Sequence, residues 1–168
     1  MNSSYIGSRL LLIMAIFSIG SVNQANANSY KSHEIKAVYI YRIANFIRWD
    51  NEKNFNSLKF CIQDNRKIEN ALQVIAKKHS IRTLPVKVSS IIDETCHVAF
   101  VNGVSNVTKL SSHVVTISDH EGFTESGGVI QLEHINNKIK PKISLKNSAS
   151  RSYTIGSNLL RISTLEGK

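Results

Sequence analysis

The sequence predicts an α/β fold: a single domain with a mixed, mostly parallel β-sheet of about six strands, helices on both faces and a C-terminal antiparallel hairpin. Helical and strand-like apolar patterns alternate along the first half of the chain, which is typical of a sheet that helices cover on both sides. The stretch from Cys96 to Leu145 continues as strand, short helix, strand, glycine-rich loop and hairpin. No repeat or linker interrupts these elements, which favours one domain.

The first 27 residues have the pattern of a secretory signal peptide. Arg9 is their only charged residue, and an apolar run from Leu10 to Ile19 follows it. That run is too short to span ~30 Å of hydrocarbon comfortably, and a small-x-small cleavage site ends at Ala27. We therefore expect export to the periplasm, cleavage after Ala27 and a mature α/β domain over 28–168. An uncleaved membrane anchor is the alternative.

The chain is basic, with 21 Lys and Arg against 12 Asp and Glu and a formal net charge of +9, which falls by one unit when Arg9 is removed. Such a balance favours acidic partners or anionic membrane surfaces. Nucleic acid is not an expected partner, because an exported protein does not meet it.

An amphipathic helix is predicted from Glu34 to Ile47. Ser32 is its expected N-cap, and Glu34 suits the first turn, where a carboxylate faces the positive end of the helix dipole. The apolar residues at helical spacing are Ile35, Val38, Tyr39, Ile43, Phe46 and Ile47. A stripe of this kind is more often core than a binding groove, and an exposed Trp49 or Tyr41 is the alternative.

After a polar loop, a strand is predicted from Leu58 to Gln63, where apolar side chains alternate with others. Asp64 or Asn65 is expected to cap a second helix, whose apolar residues recur at spacings of three and four. These residues are Ile68, Ala71, Leu72, Ile75 and Ala76. Pro85 then opens a short strand that runs through Val88.

The second half begins with a strand at Cys96–Val101 and a weak helix at Val104–Leu110, separated by a turn. A strand at Val114–Ile117 leads into a loop, Ser118–Gly128, whose glycines give its backbone unusual freedom. Open α/β sheets usually bind ligands or partners beyond the carboxyl ends of their strands. The segment Asp119–Phe123 is therefore the first place to look for a site.

The predicted hairpin pairs Val129–Glu133 with Lys138–Leu145. Pro141 cannot donate to a ladder, so the second arm is expected at a sheet edge. Its alternate lysines are interpreted as protection against unwanted strand pairing, with an electrostatic contact to phospholipid heads or to an acidic partner as the alternative. The segment Asn147–Ser152 is expected to start a final helix, broken around Gly156.

Two cysteines remain after cleavage, Cys61 and Cys96. In an oxidising compartment an even pair is expected to form a disulfide, which would tie two strand-like segments together. Two free, buried thiols are the alternative. The spacing supports neither a CxxC redox site nor a metal pair.

The sequence contains no GxSxG, HExxH, Walker or GxGxxG motif. Asp119, Glu121 and Glu125 share one loop, but nothing in the sequence fixes their separation for acid-base chemistry. A metal at His120 with Glu121 is a minor alternative. We therefore expect a binding protein rather than an enzyme, with no catalytic residues, no cofactor and no metal.

The candidate partner or ligand surface comprises Asp119, Glu121, Phe123 and Arg151. An apolar ring beside glycines in a polar loop is hard to bury locally, so Phe123 is expected to contact a partner or a second copy of the chain. The alternative is that Phe123 folds back on the sheet edge. A function of a different class, a receptor for a small anionic or nucleotide-like ligand, would use a crevice near Asp119 and Arg151.

Five short motifs follow one another over about Ile35 to Ile162. They are Lys36-x-x-Tyr39-x-Tyr41-x-Ile43-x-Asn45-Phe46-x-x-Trp49, Phe60-Cys61-Ile62, Cys96-His97-Val98-x-Phe100-Val101, Thr116-Ile117-Ser118-Asp119-x-x-Gly122-Phe123-x-x-x-Gly127-Gly128 and Ile155-Gly156-Ser157-x-Leu159-Leu160-Arg161. In this order they resemble the YfiR family of periplasmic proteins (the YfiR/HmsC type). The order of the motifs, together with the Ser-Asp-x-x-Gly-Phe-x-x-x-Gly-Gly loop, is the specific part of the likeness.

The resemblance implies an α/β domain in the periplasm that binds the periplasmic sensor part of an inner-membrane diguanylate cyclase. Repression of the cyclase would lower cyclic di-GMP and biofilm formation. The resemblance also implies the Cys61–Cys96 disulfide. A homodimer and an outer-membrane-associated protein are further candidate partners.

This sequence departs from the family pattern in two places. It lacks a second cysteine pair that other members carry, so the resemblance does not extend to a redox switch built on that pair. Asp50 stands where members usually have proline after the tryptophan, so the resemblance does not define how the first helix ends.

Overall fold

The computed structural model describes residues 31–104, 107–136 and 138–167, and the predicted leader with its cleavage site lies outside these ranges. The helices are α1 Ser32–Asn45, α2 Arg66–Lys78, α3 Leu145–Ser148 and α4 Ser157–Ile162. The strands are β1 Ile47–Trp49, β2 Leu58–Ile62, β3 Val86–Ser89, β4 Val98–Phe100, β5 Val115–Ser118, β6 Ile130–Ile135, β7 Lys138–Ser144, β8 Tyr153–Ile155 and β9 Thr164–Glu166.

Seven strands form one sheet in the order β3-β2-β4-β5-β6-β7-β9. The strands from β3 to β6 run parallel, β6 and β7 form an antiparallel hairpin, and β9 pairs with β7 in parallel. β1 and β8 form a separate antiparallel pair. The predicted fold class is confirmed: the protein is a single α/β domain with a mostly parallel sheet, which has seven strands rather than about six.

The strand order reverses at β2, and the candidate loop follows β5, the second strand beyond this reversal. The chain enters the sheet at β2, crosses through α2 to β3 on one side, and then places β4 on the other side of β2. In open α/β sheets such a reversal opens a crevice beyond the carboxyl ends of the strands. The parallel strand β5 ends at the same edge of the sheet, so the loop at 118–128 lies where the sequence predicts a site.

The two faces of the sheet carry different cores because side chains alternate along each strand. On one face, strand residues such as Phe60 and Ile117 pack with α1, α2 and α4 in the larger cluster. The helix residues buried there include Ile40, Ile43, Ile68, Leu72 and Leu159. On the other face, Cys61 and Phe123 belong to a smaller cluster. The cover on that face consists of a 3-10 turn, Val107–Lys109, the glycine-rich loop and the single turn α3, which holds the loop by hydrogen bonds.

α1 begins and ends elsewhere than the sequence predicts. Ser32 is its first residue rather than its N-cap, and the Lys31 N–H donates to the Glu34 carboxylate at 3.0 Å. The helix stops at Asn45. The predicted end at Ile47 is wrong, because Ile47 lies in β1 and is held there by pairing with β8.

Trp49 at the end of β1 belongs to the core. Its side chain is 4% exposed, and its indole N–H donates to the His113 carbonyl at 2.8 Å. Tyr41 is half-buried and its hydroxyl donates to the Ser80 carbonyl at 2.7 Å. The interpretation of Trp49 as a core residue is therefore confirmed, and the alternative of an exposed Trp49 is wrong.

α2 and β3 form where the sequence predicts them. The Asn65 side chain caps α2 by accepting from the Ile68 N–H at 3.1 Å. The Leu58 N–H of β2 donates to the Pro85 carbonyl at 2.9 Å. The carbonyl of Pro85 therefore accepts the first hydrogen bond between β2 and β3, although Pro85 has no N–H to donate.

β7 is not an edge strand, so the expectation based on Pro141 is wrong. β9 lies beside β7 from Lys142 onward. The Ser144 N–H points toward β6, where it donates to the Val129 carbonyl. Because successive backbone amides point to opposite sides of a strand, the nitrogen of Pro141 points away from β6, toward the β9 side. β9 begins one residue later, so the missing N–H of Pro141 interrupts neither ladder. Before Lys142, β7 pairs with β6 but has no described strand on its other side, and protection by lysines applies to that part alone.

The C-terminal segment contains two strands that the sequence does not predict, β8 and β9. The final helix expected to start within Asn147–Ser152 does not continue through that range: α3 ends at Ser148, and α4 begins at Ser157, after Gly156. After β8, the Gly156 N–H donates to the Phe46 carbonyl at 2.8 Å, and a Cβ at this position would lie 2.9 Å from the same oxygen. Glycine therefore allows the end of β8 to approach the end of α1. Of the weak helix expected at Val104–Leu110, the described residues form only the 3-10 turn; 105 and 106 lie outside them.

Cys61 of β2 and Cys96, which precedes β4, form a disulfide with a Cα–Cα separation of 5.9 Å. Both residues are fully buried in the smaller cluster. The predicted disulfide is confirmed, and the alternative of two free thiols is wrong. The bond ties two neighbouring parallel strands together on the face that long helices do not cover.

Removal of the disulfide should lower the free energy of unfolding. In the chain-entropy model a loop of this size contributes about 4 kcal/mol, so Cys61→Ala with Cys96→Ala should unfold at a lower urea concentration than the oxidised wild type. Wild type under reducing conditions is the matched control, because the chain has only these two cysteines. An unchanged urea midpoint in both samples would contradict a stabilising role for the bond.

Candidate functional site

The loop after β5 is the predicted site, and hydrogen bonds fix both of its ends. The Ser118 hydroxyl donates to the Val101 carbonyl at 2.8 Å and accepts from the His120 N–H at 3.1 Å. Near its other end, the Asn147 amide donates to two carbonyls of the loop at 2.7 and 2.8 Å. The loop therefore presents a surface of defined shape.

Asp119 contacts α1. Its carboxylate lies 2.5 Å from the Nζ atom of Lys36, and both side chains are partly exposed. The ion pair connects the loop to the helical layer and neutralises the Asp119 charge, although pairs this exposed contribute little stability. The neighbouring side chains of His120 and Glu121 are exposed.

Phe123 is completely buried, and the expectation that its ring is hard to bury locally is wrong. The ring packs against Gly128 so closely that a Cβ at Gly128 would lie 2.2 Å from Phe123 Cε1. The Phe123 N–H donates to the side chain of Gln131 at 3.0 Å. The alternative, in which Phe123 folds back on the sheet, is the one that the structure adopts, so this ring offers no surface to a partner.

Arg151 lies at the opposite end of β5 from Asp119. Its guanidinium donates to the carbonyls of Asn147, Leu110 and Ser111 at 3.1, 3.4 and 3.5 Å. Leu110 and Ser111 precede β5, whereas Asp119 follows it, and a strand of four residues spans roughly 13 Å. The structure does not bring Asp119 and Arg151 together, so the crevice expected between them is not formed.

A shallow depression lies beside the loop, along β6. It is lined by Asp119, Glu121, Gln131, Leu132, Glu133, His134 and Ile135. Besides Asp119, which is paired with Lys36, the carboxylates of Glu121 and Glu133 line it and no lysine or arginine does. It is therefore suited to a basic group and not to a small anion. Within the described ranges, no group of three or more His, Cys, Asp or Glu side chains is placed to hold a metal ion.

A second cavity lies at the amino ends of the strands, where the sequence predicts no site. Its volume is about 340 Å³, and it is lined by Trp49, Asn51, Phe55, Thr95, His97, His113 and Ser152. The His97 ring centroid lies 4.4 Å from that of Phe55, 6.0 Å from Trp49 and 6.2 Å from His113. The lining residues carry no carboxylate and no lysine or arginine, so this cavity is uncharged when its histidines are neutral.

His97 is neutral in the folded protein at ordinary pH. Its Nδ1 atom accepts from the Lys59 N–H at 3.0 Å, so that nitrogen carries no proton. Burial lowers the pKa of His97 to about 4, and the positive charges of His113 and Lys59 act in the same direction. The imidazole therefore packs as an aromatic ring and is a poor base for catalysis at neutral pH.

The positions of His97 and His113 explain why sequence reasoning missed this cavity. Val98 and Val115 are paired in register in the adjacent parallel strands β4 and β5. His97 precedes its strand by one residue and His113 precedes its strand by two. The only sequence signal is thus a histidine at the start of each strand, and it becomes interpretable once the two strands are known to be neighbours.

A protein-family model described as YfiR/HmsC-like matches residues 33–164. The match runs from α1 into β9 and includes both cysteines and the glycine-rich loop. No curated protein matches the chain. Among the described helices, none combines the length and the apolar content needed to cross a membrane.

Truncation of the Phe123 ring should destabilise the fold. Phe123→Ala removes a buried ring and leaves a cavity, which typically costs about 3–5 kcal/mol of unfolding free energy. Ile91→Ala is the matched control, because Ile91 is 67% exposed and should change stability little. If Phe123→Ala melted like wild type, the burial of this ring would be contradicted.

Acidification should destabilise the protein through His97. The unfolded imidazole gains its proton near pH 6.5, whereas the folded one does so only near pH 4. Between these values the unfolded state binds more protons, so stability should fall as the pH drops from 6.5 to 4. His97→Asn keeps an acceptor for the Lys59 N–H and lacks the titrating ring. Urea unfolding at several pH values should therefore show that the free energy of unfolding depends less on pH in this variant than in wild type. An equal dependence in both proteins would count against His97 as the cause.

Proposed function

The chain belongs to the YfiR/HmsC-like family, and we propose that it is a periplasmic protein that binds the periplasmic part of an inner-membrane diguanylate cyclase and represses it. Membership of the family implies regulation of a diguanylate cyclase in the periplasm. The observation that carries the proposal is the family match over residues 33–164, which spans nearly the whole described domain. Repression would lower cyclic di-GMP and biofilm formation.

Export is part of the proposal. Residues 1–27 would direct the chain to the periplasm, with cleavage after Ala27 and a mature domain over 28–168. The Cys61–Cys96 disulfide supports an oxidising compartment, since such bonds form and persist outside the cytoplasm.

Repression by binding requires a difference in affinity between two states of the cyclase. The protein must bind the inactive state more tightly than the active one, because a ligand with equal affinity for both shifts nothing. A tenfold preference corresponds to about 1.4 kcal/mol, which one or two contacts can supply. Members of this family are regulatory proteins rather than enzymes, and the proposed function needs no reaction, cofactor or metal.

The alternative function, a receptor for a small anionic or nucleotide-like ligand at Asp119 and Arg151, has less support. Asp119 pairs with Lys36, and Arg151 is bonded to backbone carbonyls at the other end of β5. The depression beside Asp119 is lined by carboxylates, which would repel an anion. We therefore favour a protein partner, with a second copy of the chain and an outer-membrane-associated protein as further candidates.

Deletion of the gene in its native host should raise cyclic di-GMP, and a plasmid copy of the full chain should restore the original level. Capture of the protein from the envelope fraction should recover a membrane diguanylate cyclase, identified by mass spectrometry. The mass of the captured protein should correspond to a chain that begins at Asn28. Unchanged cyclic di-GMP in the deletion strain, with no cyclase recovered, would overturn the proposal.

A further inference from the structure

A groove separates the exposed faces of α1 and α2 on the helical side of the sheet. It has a volume of about 510 Å³, and its half-buried apolar lining is Val38 from α1 and Ile75 from α2. Tyr41 closes one end, because its hydroxyl donates to the Ser80 carbonyl at 2.7 Å and its ring centroid lies 6.4 Å from that of His79. The groove therefore has an apolar floor and a fixed end.

The rim of the groove carries two exposed cations, Arg42 and Lys78. Neither forms an ion pair with any residue in the described part of the chain. The basic residues that do so there are Lys36, Lys59, Arg82 and Lys142. No Asp or Glu lines the groove, so its positive charge is not neutralised locally.

The solvent-facing stripe of α2 extends this positive surface. Its exposed residues are Arg66, Lys67, Asn70, Gln73, Val74, Lys77 and Lys78. The one carboxylate of α2, Glu69, accepts from the Gln73 side chain at 3.2 Å. Val74 is 57% exposed and lies in this stripe one turn before Lys78, outside the lining of the groove. The surface is thus an apolar strip with a basic border.

From these observations we infer that the groove binds an acidic amphipathic helix of the partner protein, which under the proposed function is a helix in the periplasmic part of the cyclase. Apolar side chains of that helix would cover Val38 and Ile75, and its carboxylates would pair with Arg42 and Lys78. Helices pack into grooves of this kind by interdigitating their side-chain ridges. The inference rests on the proposed function for the identity of the partner.

An anionic membrane surface fits this region less well than a helix does. A flat lipid surface would touch the protruding stripe of α2 and leave the recessed side chains of Val38 and Ile75 uncovered. A helix enters the groove and covers them, and burial of apolar area is the main favourable term in association.

Reversal of the two rim charges tests the inference. In Arg42→Glu with Lys78→Glu, the affinity of the mature protein for the detergent-solubilised cyclase should fall at least tenfold. Cyclic di-GMP in the complemented deletion strain should rise toward the level without the gene. Lys53→Glu with Lys109→Glu makes the same change in net charge at two exposed lysines outside the groove and should bind and repress like wild type.

Two further variants separate charge from packing. Arg42→Lys with Lys78→Arg keeps both positive charges and should retain binding. Val38→Ala removes part of the apolar lining of the groove and leaves both rim cations unchanged, so it should weaken binding. Val38 is half-buried and the other substituted residues are exposed, so each variant should unfold close to the wild-type temperature.

The outcomes distinguish this inference from the proposed function. If wild type neither binds the cyclase nor lowers cyclic di-GMP, the proposed function fails and the inference fails with it. If wild type does both and the charge-reversed variant does both equally well, only the groove is excluded. If the charge-reversed variant loses binding to phosphatidylglycerol vesicles but keeps its affinity for the cyclase, the surface serves lipid and the inference is overturned.

Discussion

The covalent bond between Cys61 and Cys96 is the constraint on which the second face of the sheet depends. It holds the segment before β4 against β2, and Phe123 packs in the same cluster. Phe123 in turn needs Gly128, since any side chain there would collide with the ring. A face covered by a 3-10 turn, a loop and one helical turn has little apolar area to bury, so the disulfide adds stability where a long helix would otherwise supply it.

The conformation of the loop at 118–128 determines which side chains beyond the carboxyl ends of the strands are available to another molecule. Phe123 is buried, and Asp119 and Glu125 are paired with Lys36 and Lys142, whereas His120 and Glu121 are exposed. The available surface is polar and its backbone is already fixed. Binding to a preformed surface loses less conformational entropy than binding to a mobile one. Small differences in contact with two states of a partner can then appear as differences in affinity, which the proposed repression would require.

The parallel part of the sheet is predictable because each of its strands is an apolar run next to a recognisable signal, such as Asn65 before α2 or Pro85 before β3. β1, β8 and β9 have three residues each, too few to show a period of two, and they form only because distant segments pair with them. Pro141 shows in the sequence that one backbone donor is missing, but it does not show where the neighbouring strand begins. For the site, the sequence locates the loop but not the contacts that bury Phe123 or the strand end at which Arg151 lies, because both depend on tertiary packing.

The positive charge of the chain is unevenly distributed, and this would orient a charged partner as it approaches. The depression beyond the carboxyl ends of the strands is lined by three carboxylates, of which Asp119 is paired with Lys36. The cavity at the amino ends of the strands has no Lys, Arg, Asp or Glu in its lining. The groove between α1 and α2 carries Arg42 and Lys78. An acidic partner is therefore repelled at the first surface and attracted at the third before any contact forms. Complementarity of this kind affects the association rate and the choice of partner more than the final affinity. The net charge of +9 favours an acidic partner, and the distribution of charge among the three surfaces supports the proposal that such a partner docks on the groove between α1 and α2.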